Sequence, residues 1–238
     1  RGRVVKVLKP RFKLPSLRAT PLYEQGLIYP QSLPSMAAVR ALDPKPGWRL
    51  IDLTAAPGGK VSHAYQLMRG RGLVVAVDRS PKKINELREN LARMKMKGVQ
   101  VLQRDSRYLD LELPHESFDA AIVDPPCSAL GVRPKLRIKL DLKEVKSASE
   151  YQRQFLKVAA RLIKRGGSIL YSTCTLTKEE CEDIVDYAER ELRLTIAQHG
   201  QLLGSPSLLR SERGTWARRF YPHIHDTPGF FYAILRKD

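Results

Sequence analysis

The chain has 238 residues, 42% of them apolar, which suits one large α/β domain with a full core and argues against general disorder. No apolar run approaches the roughly 18 residues of a membrane span, and residues 1–20, broken up by charge and proline, do not read as a secretory signal. Forty-two Lys and Arg against 25 Asp and Glu give a formal charge of +17, a one-sided excess whose usual partner is a phosphate backbone.

Residues 1–34 are basic and punctuated by Pro10, Pro15, Pro21, Pro30 and Pro34, so they read as an N-terminal extension or linker that holds no core of its own. Val4, Val5 and Val7 read as a strand belonging to something further upstream. A helix is expected over 35–42, stopped by Pro44, Pro46 and Gly47. From Trp48 the pattern alternates, with strands expected over 49–53, 73–77, 99–104, 118–123 and 168–171. Helices are expected between them over 60–68, 81–95, 148–164 and 178–191. This alternation predicts an α/β domain over 35–238, a mostly parallel, doubly wound sheet with helices on both faces. The end differs: 192–197 and 230–235 read as strands separated by a long polar loop, which predicts an antiparallel addition at the sheet edge.

Chemistry concentrates where predicted strands end. Asp52-Leu53-Thr54-Ala55-Ala56-Pro57-Gly58-Gly59-Lys60 joins the first strand to the first helix, and its small residues and two glycines let backbone N–H groups approach a ligand. The spacing is neither a dinucleotide fingerprint nor a Walker loop. Asp78 ends the second strand, the usual place for a carboxylate that accepts two ribose hydroxyl hydrogen bonds; the alternative is an acid at the N-terminus of the helix from Pro81. Asp105 ends the third strand and could accept from an adenine amino group, or simply be a turn residue before Ser106. Nothing there would carry a pyrophosphate, so S-adenosylmethionine outranks a dinucleotide as cofactor.

Two of the three cysteines end two further strands, Cys127 in Asp124-Pro125-Pro126-Cys127 and Cys174 in Tyr171-Ser172-Thr173-Cys174. An odd cysteine count without C-x-x-C spacing supports neither a disulfide framework nor a zinc knuckle, and a reducing, cytoplasmic setting is expected. Two thiols delivered to one crevice point to covalent chemistry, one attacking and one assisting. An aromatic residue in place of Cys127 would indicate methylation of an exocyclic amine. A cysteine points instead to a ring carbon, since cytosine C5 becomes nucleophilic only after a thiolate adds at C6. Cys181, in a predicted helix among Glu179, Glu180 and Glu182, reads as structural.

With Ala55-Ala56-Pro57-Gly58-Gly59-Lys60, Asp124-Pro125-Pro126-Cys127-Ser128-Ala129-Leu130-Gly131, Ser172-Thr173-Cys174-Thr175 and the ending Gly229-Phe230-Phe231, the chain resembles the Nop2/Sun family of RNA cytosine-5 methyltransferases from about Leu33 onward. Gln31-Ser32-Leu33-Pro34-Ser35 is most similar to the branch that carries a PUA domain ahead of the catalytic domain and methylates tRNA; other branches methylate rRNA. The resemblance implies a class I (Rossmann-like) methyltransferase fold. It implies Cys174 as nucleophile, Cys127 in product release, Asp124 on the cytosine edge and Lys60 near base and cofactor. Ala55, Ala56, Pro57, Gly58, Gly59 and Lys60, with Asp78, Arg79, Asp105 and Asp124, would hold S-adenosylmethionine. Thr54, Val61 and Pro228 depart from the family's common residues.

The expected partner is structured RNA, tRNA ahead of rRNA, bound by a monomer without metal or membrane. The basic stretches 1–18 and 133–146 are candidate phosphate contacts. His223 and His225 lack a third metal ligand nearby and read, with Arg218, Arg219 and Tyr221, as phosphate contacts too. A non-catalytic RNA-binding protein on the same scaffold is the rival from another class, against which Cys174 and Asp124 stand.

Overall fold

The computed structural model describes residues 16–132 and 141–238. The expectations for Val4, Val5 and Val7, for most of the basic run 1–18, and for Arg133, Lys135 and Arg137 lie outside those residues.

A 3-10 turn (Leu17–Ala19) and the short α1 (Pro21–Glu24) lead to α2 (Leu33–Leu42). Then follow β1 (Arg49–Asp52), α3 (Gly59–Leu67), β2 (Leu73–Asp78), α4 (Pro81–Arg93), β3 (Val99–Gln103) and β4 (Phe118–Val123). The chain continues through α5 (Leu142–Leu162), β5 (Ile163–Thr173), α6 (Glu182–Leu192), β6 (Leu194–Ile196), β7 (Ser205–Pro206), β8 (Arg218–Phe220), α7 (Pro222–His225) and β9 (Phe230–Lys237). Among the described residues these strands form one nine-stranded sheet in the order β3-β2-β1-β4-β5-β9-β8-β7, with β6 also on β9. Strands β1 to β5 pair in parallel, and β9 is antiparallel to β5, β6 and β8. The order reverses between β1 and β4, so the crevice for a ligand opens at their carboxyl ends.

Side chains alternate across the sheet. Leu50, Val74, Ala76, Ala120, Ile122 and Leu170 pack under α2, α3 and α4. Ile51, Val75, Val77, Ala121, Val123, Ile169 and Tyr171 pack under α5 and α6. Burial on both faces explains why these strands read as continuous apolar runs. Among the described residues no helix is long and apolar enough to cross a membrane.

Boundaries differ from the sequence reading where polar residues turn inward. Helix α2 starts at Leu33, because the Ser32 side chain accepts from the Ser35 N–H at 3.4 Å. Helix α5 starts at Leu142, where Asp141 caps it, and its buried stripe includes the polar Ser149 and Gln152. Helix α6 starts only at Glu182, because residues 178–181 form a turn that buries Glu180 and Cys181.

The expected polar loop between 197 and 230 in fact holds β7, β8, α7 and a 3-10 turn (Glu212–Trp216). The two arginines of β8 cause the difference. Arg219 is 1% exposed; its guanidinium pairs with both carboxylate oxygens of Glu182, Nε donating at 2.6 Å, and also donates to the Leu176 carbonyl at 3.0 Å. Arg218 donates to the carbonyls of Leu202 (2.8 Å), Thr215 (3.0 Å) and Gly204. Both side chains are therefore spent inside the fold, which corrects their reading as phosphate contacts. His225 is likewise engaged, Nδ1 accepting the Tyr221 N–H at 2.9 Å.

Removing Arg219 leaves Glu182 as an unpaired, fully buried charge, which typically costs about 3–5 kcal/mol. Arg219→Leu should lower the urea unfolding midpoint by that amount of stability, and adding Glu182→Leu should recover much of it. A single-variant loss under about 1 kcal/mol would contradict this account of the C-terminal strands.

Candidate active site at the switch point

The first strand end sets the cradle. Beyond β1 the backbone turns at Thr54, and the Ala55 N–H donates to the Val77 carbonyl at 2.9 Å, tying the turn to β2. The Ala56–Pro57 bond is cis, and the Pro57 carbonyl accepts from Asn90 at 2.9 Å. Gly58 stands at φ 113°, a region an L side chain resists, and it caps α3 without a side-chain acceptor. Gly59 opens the helix, where a Cβ would press on Tyr29 and Gln31 at 3.3 Å. The first N–H groups of α3 lie at this turn, at the positive end of the helix.

Asp78 and Arg79 lie at the end of β2, with the Asp78 carboxylate half-buried and accepting the Ser80 N–H at 3.0 Å. Asp105 is bound on both oxygens by the neighbouring Arg107 guanidinium, at 2.9 and 2.5 Å, and this ion pair holds its carboxyl below the usual range. Arg107 and the exposed Arg79 both approach the Tyr151 ring, at 4.9 and 5.9 Å from its centroid. A cleft of about 660 Å³, lined by Cys127, Lys143, Ser147 and Tyr151 among others, opens beside them.

The two thiols meet because β4 and β5 are adjacent and parallel, with Val123 level with Tyr171. One residue further on, Ser172 Oγ donates to Asp124 at 2.9 Å. Beyond these, Cys127 Sγ lies 3.1 Å from Cys174 Sγ. The hydrogen bond from the Cys127 thiol is the main cause that draws the Cys174 thiol below its usual pKa; Lys60 also lowers it, against burial and the Asp124 charge. The same contact, with burial, pushes Cys127 well up. The sequence reading brought both thiols to one crevice and did not see their direct contact.

The Lys60 side chain is 11% exposed, and its Nζ pairs with Asp124 and lies 5.4 Å from the Phe230 ring centroid, so α3, the β4 loop and the C-terminal strand converge on one ammonium. Thr54 Oγ1 accepts the Asp124 N–H at 2.8 Å, while its own N–H donates to Asp52 at 3.0 Å. Asp52, which sequence reasoning left without a role, is 1% exposed, and burial pushes its carboxyl up to about 7 despite the Thr54 hydrogen bond and the Lys60 charge. Gly131 and Gly229 close the floor of the crevice. The Gly131 N–H donates to the Cys174 carbonyl at 2.9 Å and the Gly229 N–H to the Gly131 carbonyl at 2.8 Å, an approach that leaves no room for a Cβ at either glycine. Cys181 is buried behind this point, its sulfur bonded weakly to the Thr173 hydroxyl and the Thr175 carbonyl.

Comparison with known proteins shows the family. Residues 39–236 match the family described as 16S rRNA methyltransferase RsmB/F. A tRNA (cytosine(72)-C(5))-methyltransferase from Pyrococcus horikoshii is 42% identical over 238 residues, covering all of this chain and 59% of that protein. The tRNA (cytosine(72)-C(5))-methyltransferase NSUN6 of Mus musculus is 37% identical over 203 residues, 80% of this chain and 42% of its own length. The crystal structure of NSun6 from Pyrococcus horikoshii with SFG superposes with a TM-score of 0.87 at 41% identity, over 94% of this chain and 56% of that one. The chain thus spans about half the length of these relatives, and by motif, fold and sequence it belongs to the RsmB/F family of Nop2/Sun methyltransferases.

Proposed function

We propose that the chain is the catalytic part of an S-adenosylmethionine-dependent RNA (cytosine-5)-methyltransferase acting on tRNA, with Cys174 as nucleophile. The observation that carries this is the thiol pair, 3.1 Å apart beside an Asp–Lys ion pair at the ends of two parallel strands. The tRNA assignment rests on the two relatives named for cytosine 72.

The cradle fits the cofactor on the geometry of this chain. The helix N-terminus at Gly58–Gly59 offers free N–H donors, a side chain would be strained at Gly58 and crowded at Gly59, and Asp78 keeps acceptor capacity for ribose hydroxyls. When bound, the cofactor supplies the methyl group as an electrophile. The rest of the reaction belongs to the protein and the RNA. The target cytosine leaves its stack, at a cost of a few kcal/mol that basic flanks and pocket contacts offset. Asp124, held by Ser172, Thr54 and Lys60, meets its N3 and amino edge. The Cys174 thiolate attacks C6, C5 gains enamine character and takes the methyl group, the C5 proton leaves, and the sulfur–C6 bond breaks to restore the aromatic ring. Once Cys174 sulfur is bonded to carbon, the largest influence raising Cys127 is gone. Cys127 is then easier to ionise and stands where the departing proton must go.

Cys174 should be alkylated by iodoacetamide at a lower pH than an ordinary thiol, because its thiolate fraction grows as pH rises through a depressed pKa. In Cys127→Ala the donor is lost, so the pH profile of that alkylation should move upward; an unmoved profile would show that Cys127 does not activate it. With tRNA transcript and S-adenosylmethionine, Cys127→Ala should accumulate a denaturant-stable protein–RNA band, whereas Cys174→Ala should show neither band nor methylation. The band in Cys174→Ala instead would exchange the two roles. For the cofactor, Asp78→Ala should weaken binding in calorimetry by about 1.5–3 kcal/mol for each ribose hydrogen bond lost to a charged acceptor. Equal affinity would remove Asp78 from the site.

A further inference from the structure

Glu180 is fully buried, yet among the described residues no lysine or arginine pairs with it. Its Oε2 accepts the Ser128 N–H at 2.9 Å and the Gln152 amide at 2.7 Å, and its Oε1 accepts the Thr177 hydroxyl at 2.9 Å. Gln152 is also fully buried and donates to the Pro126 carbonyl at 3.1 Å. The Tyr171 hydroxyl lies 2.9 Å from the Gln152 side-chain oxygen and 2.7 Å from the Glu180 carbonyl, which anchors both residues to β5.

The pattern is specific to Cys127. The Pro126 carbonyl belongs to the peptide group before Cys127 and the Ser128 N–H to the one after it, so both peptide groups of this residue end on the Gln152–Glu180 pair. Cys174 needs no such support, since it directly follows β5 and its carbonyl is held by Gly131. A buried carboxylate without a counter-ion carries a desolvation cost that an apolar core would avoid. Three hydrogen bonds to one carboxylate offset that cost and fix the donors' positions in return.

We propose that Glu180, with Gln152, is a positioning residue that holds the Cys127 loop against Cys174 and so governs release of the methylated RNA rather than methyl transfer. This inference rests on the covalent reading above. In Glu180→Ala the Ser128 N–H loses its acceptor and Gln152, which holds the Pro126 carbonyl, loses the carboxylate that fixes it, so Cys127 drifts from the C5 proton while Cys174 stays in place. Misplacement on the scale of an ångström can cost up to about a hundredfold. Glu180→Gln should behave like the parent: its oxygen can face Ser128 and Gln152 while its amide donates to Thr177, whose hydroxyl turns to accept.

The test follows methyl incorporation into a tRNA transcript under single-turnover and multiple-turnover conditions, together with the denaturant-stable protein–RNA band. Cys127→Ala and Glu180→Gln run as controls. The expected result for Glu180→Ala is near-parental single-turnover methylation, a multiple-turnover rate reduced roughly tenfold or more, and a band like that of Cys127→Ala but absent from Glu180→Gln. Should Glu180→Ala not fold by circular dichroism, Gln152→Met, which keeps the volume and removes both donor contacts, takes its place with the same expectation. A band in Cys127→Ala with none in the folded positioning variant overturns the inference and leaves the covalent reading standing. A band in Glu180→Gln as strong as in Glu180→Ala overturns it too. No band in Cys127→Ala with methylation intact overturns the covalent reading itself, and the inference with it.

Discussion

Parallel pairing of β4 with β5 is the constraint on which the rest of this site depends. Two strands that run side by side must present residues in register to the same point. Here those residues are Asp124 and Ser172, followed by the turns that carry Cys127 and Cys174. Neither turn could hold its thiol alone. The Cys127 turn is pinned by a buried glutamate and glutamine from α5 and the loop before α6. The Cys174 turn is pinned by Gly131 and, through it, by Gly229 at the start of the C-terminal strand. The sulfur–sulfur contact is thus an outcome of sheet order, helix placement and two positions where only glycine fits.

The charge balance around the thiols follows from the same convergence. Two carboxylates, Asp52 and Asp124, share the neighbourhood of one ammonium, Lys60. Lys60 pairs with Asp124, the carboxylate that faces the crevice, while Asp52, deeper and 1% exposed, is driven toward its neutral form. The site therefore need not hold two buried negative charges beside a thiolate, an arrangement electrostatics would penalise heavily. Thr54 couples the two acids, accepting from the Asp124 backbone and donating to Asp52, which gives a specific reason for a hydroxyl at that position.

Buried ions also organise the far side of the sheet. The Arg219–Glu182 pair joins β8 to the start of α6, close to the turn that carries Glu180. The antiparallel β9 lies between β5 and the β8 and β6 segments and delivers Phe230 to Lys60 at one end. An element that looks like an appendage to a parallel sheet is therefore part of the wall of the active crevice.

Much of this was legible in the chain itself. Continuous apolar runs alternating with amphipathic helices mark a sheet buried on both faces, so the five parallel strands and the doubly wound class follow from periodicity. The strand-end motifs at Asp52–Lys60, Asp78, Asp124–Cys127 and Cys174 follow as well, because ligand crevices open at such ends. What the chain does not disclose by itself is which polar residues are buried. Gln152, Glu180, Glu182, Arg218 and Arg219 carry the composition of a solvated surface, and pattern reading places them there. They are interior because each meets partners from distant segments, such as Ser128 for Glu180 and Glu182 for Arg219, and those meetings exist only once the sheet order is set. The same holds for the activation of Cys174. Its neighbour in space, Cys127, lies 47 residues away in sequence, so tertiary structure alone brings the two sulfurs into contact.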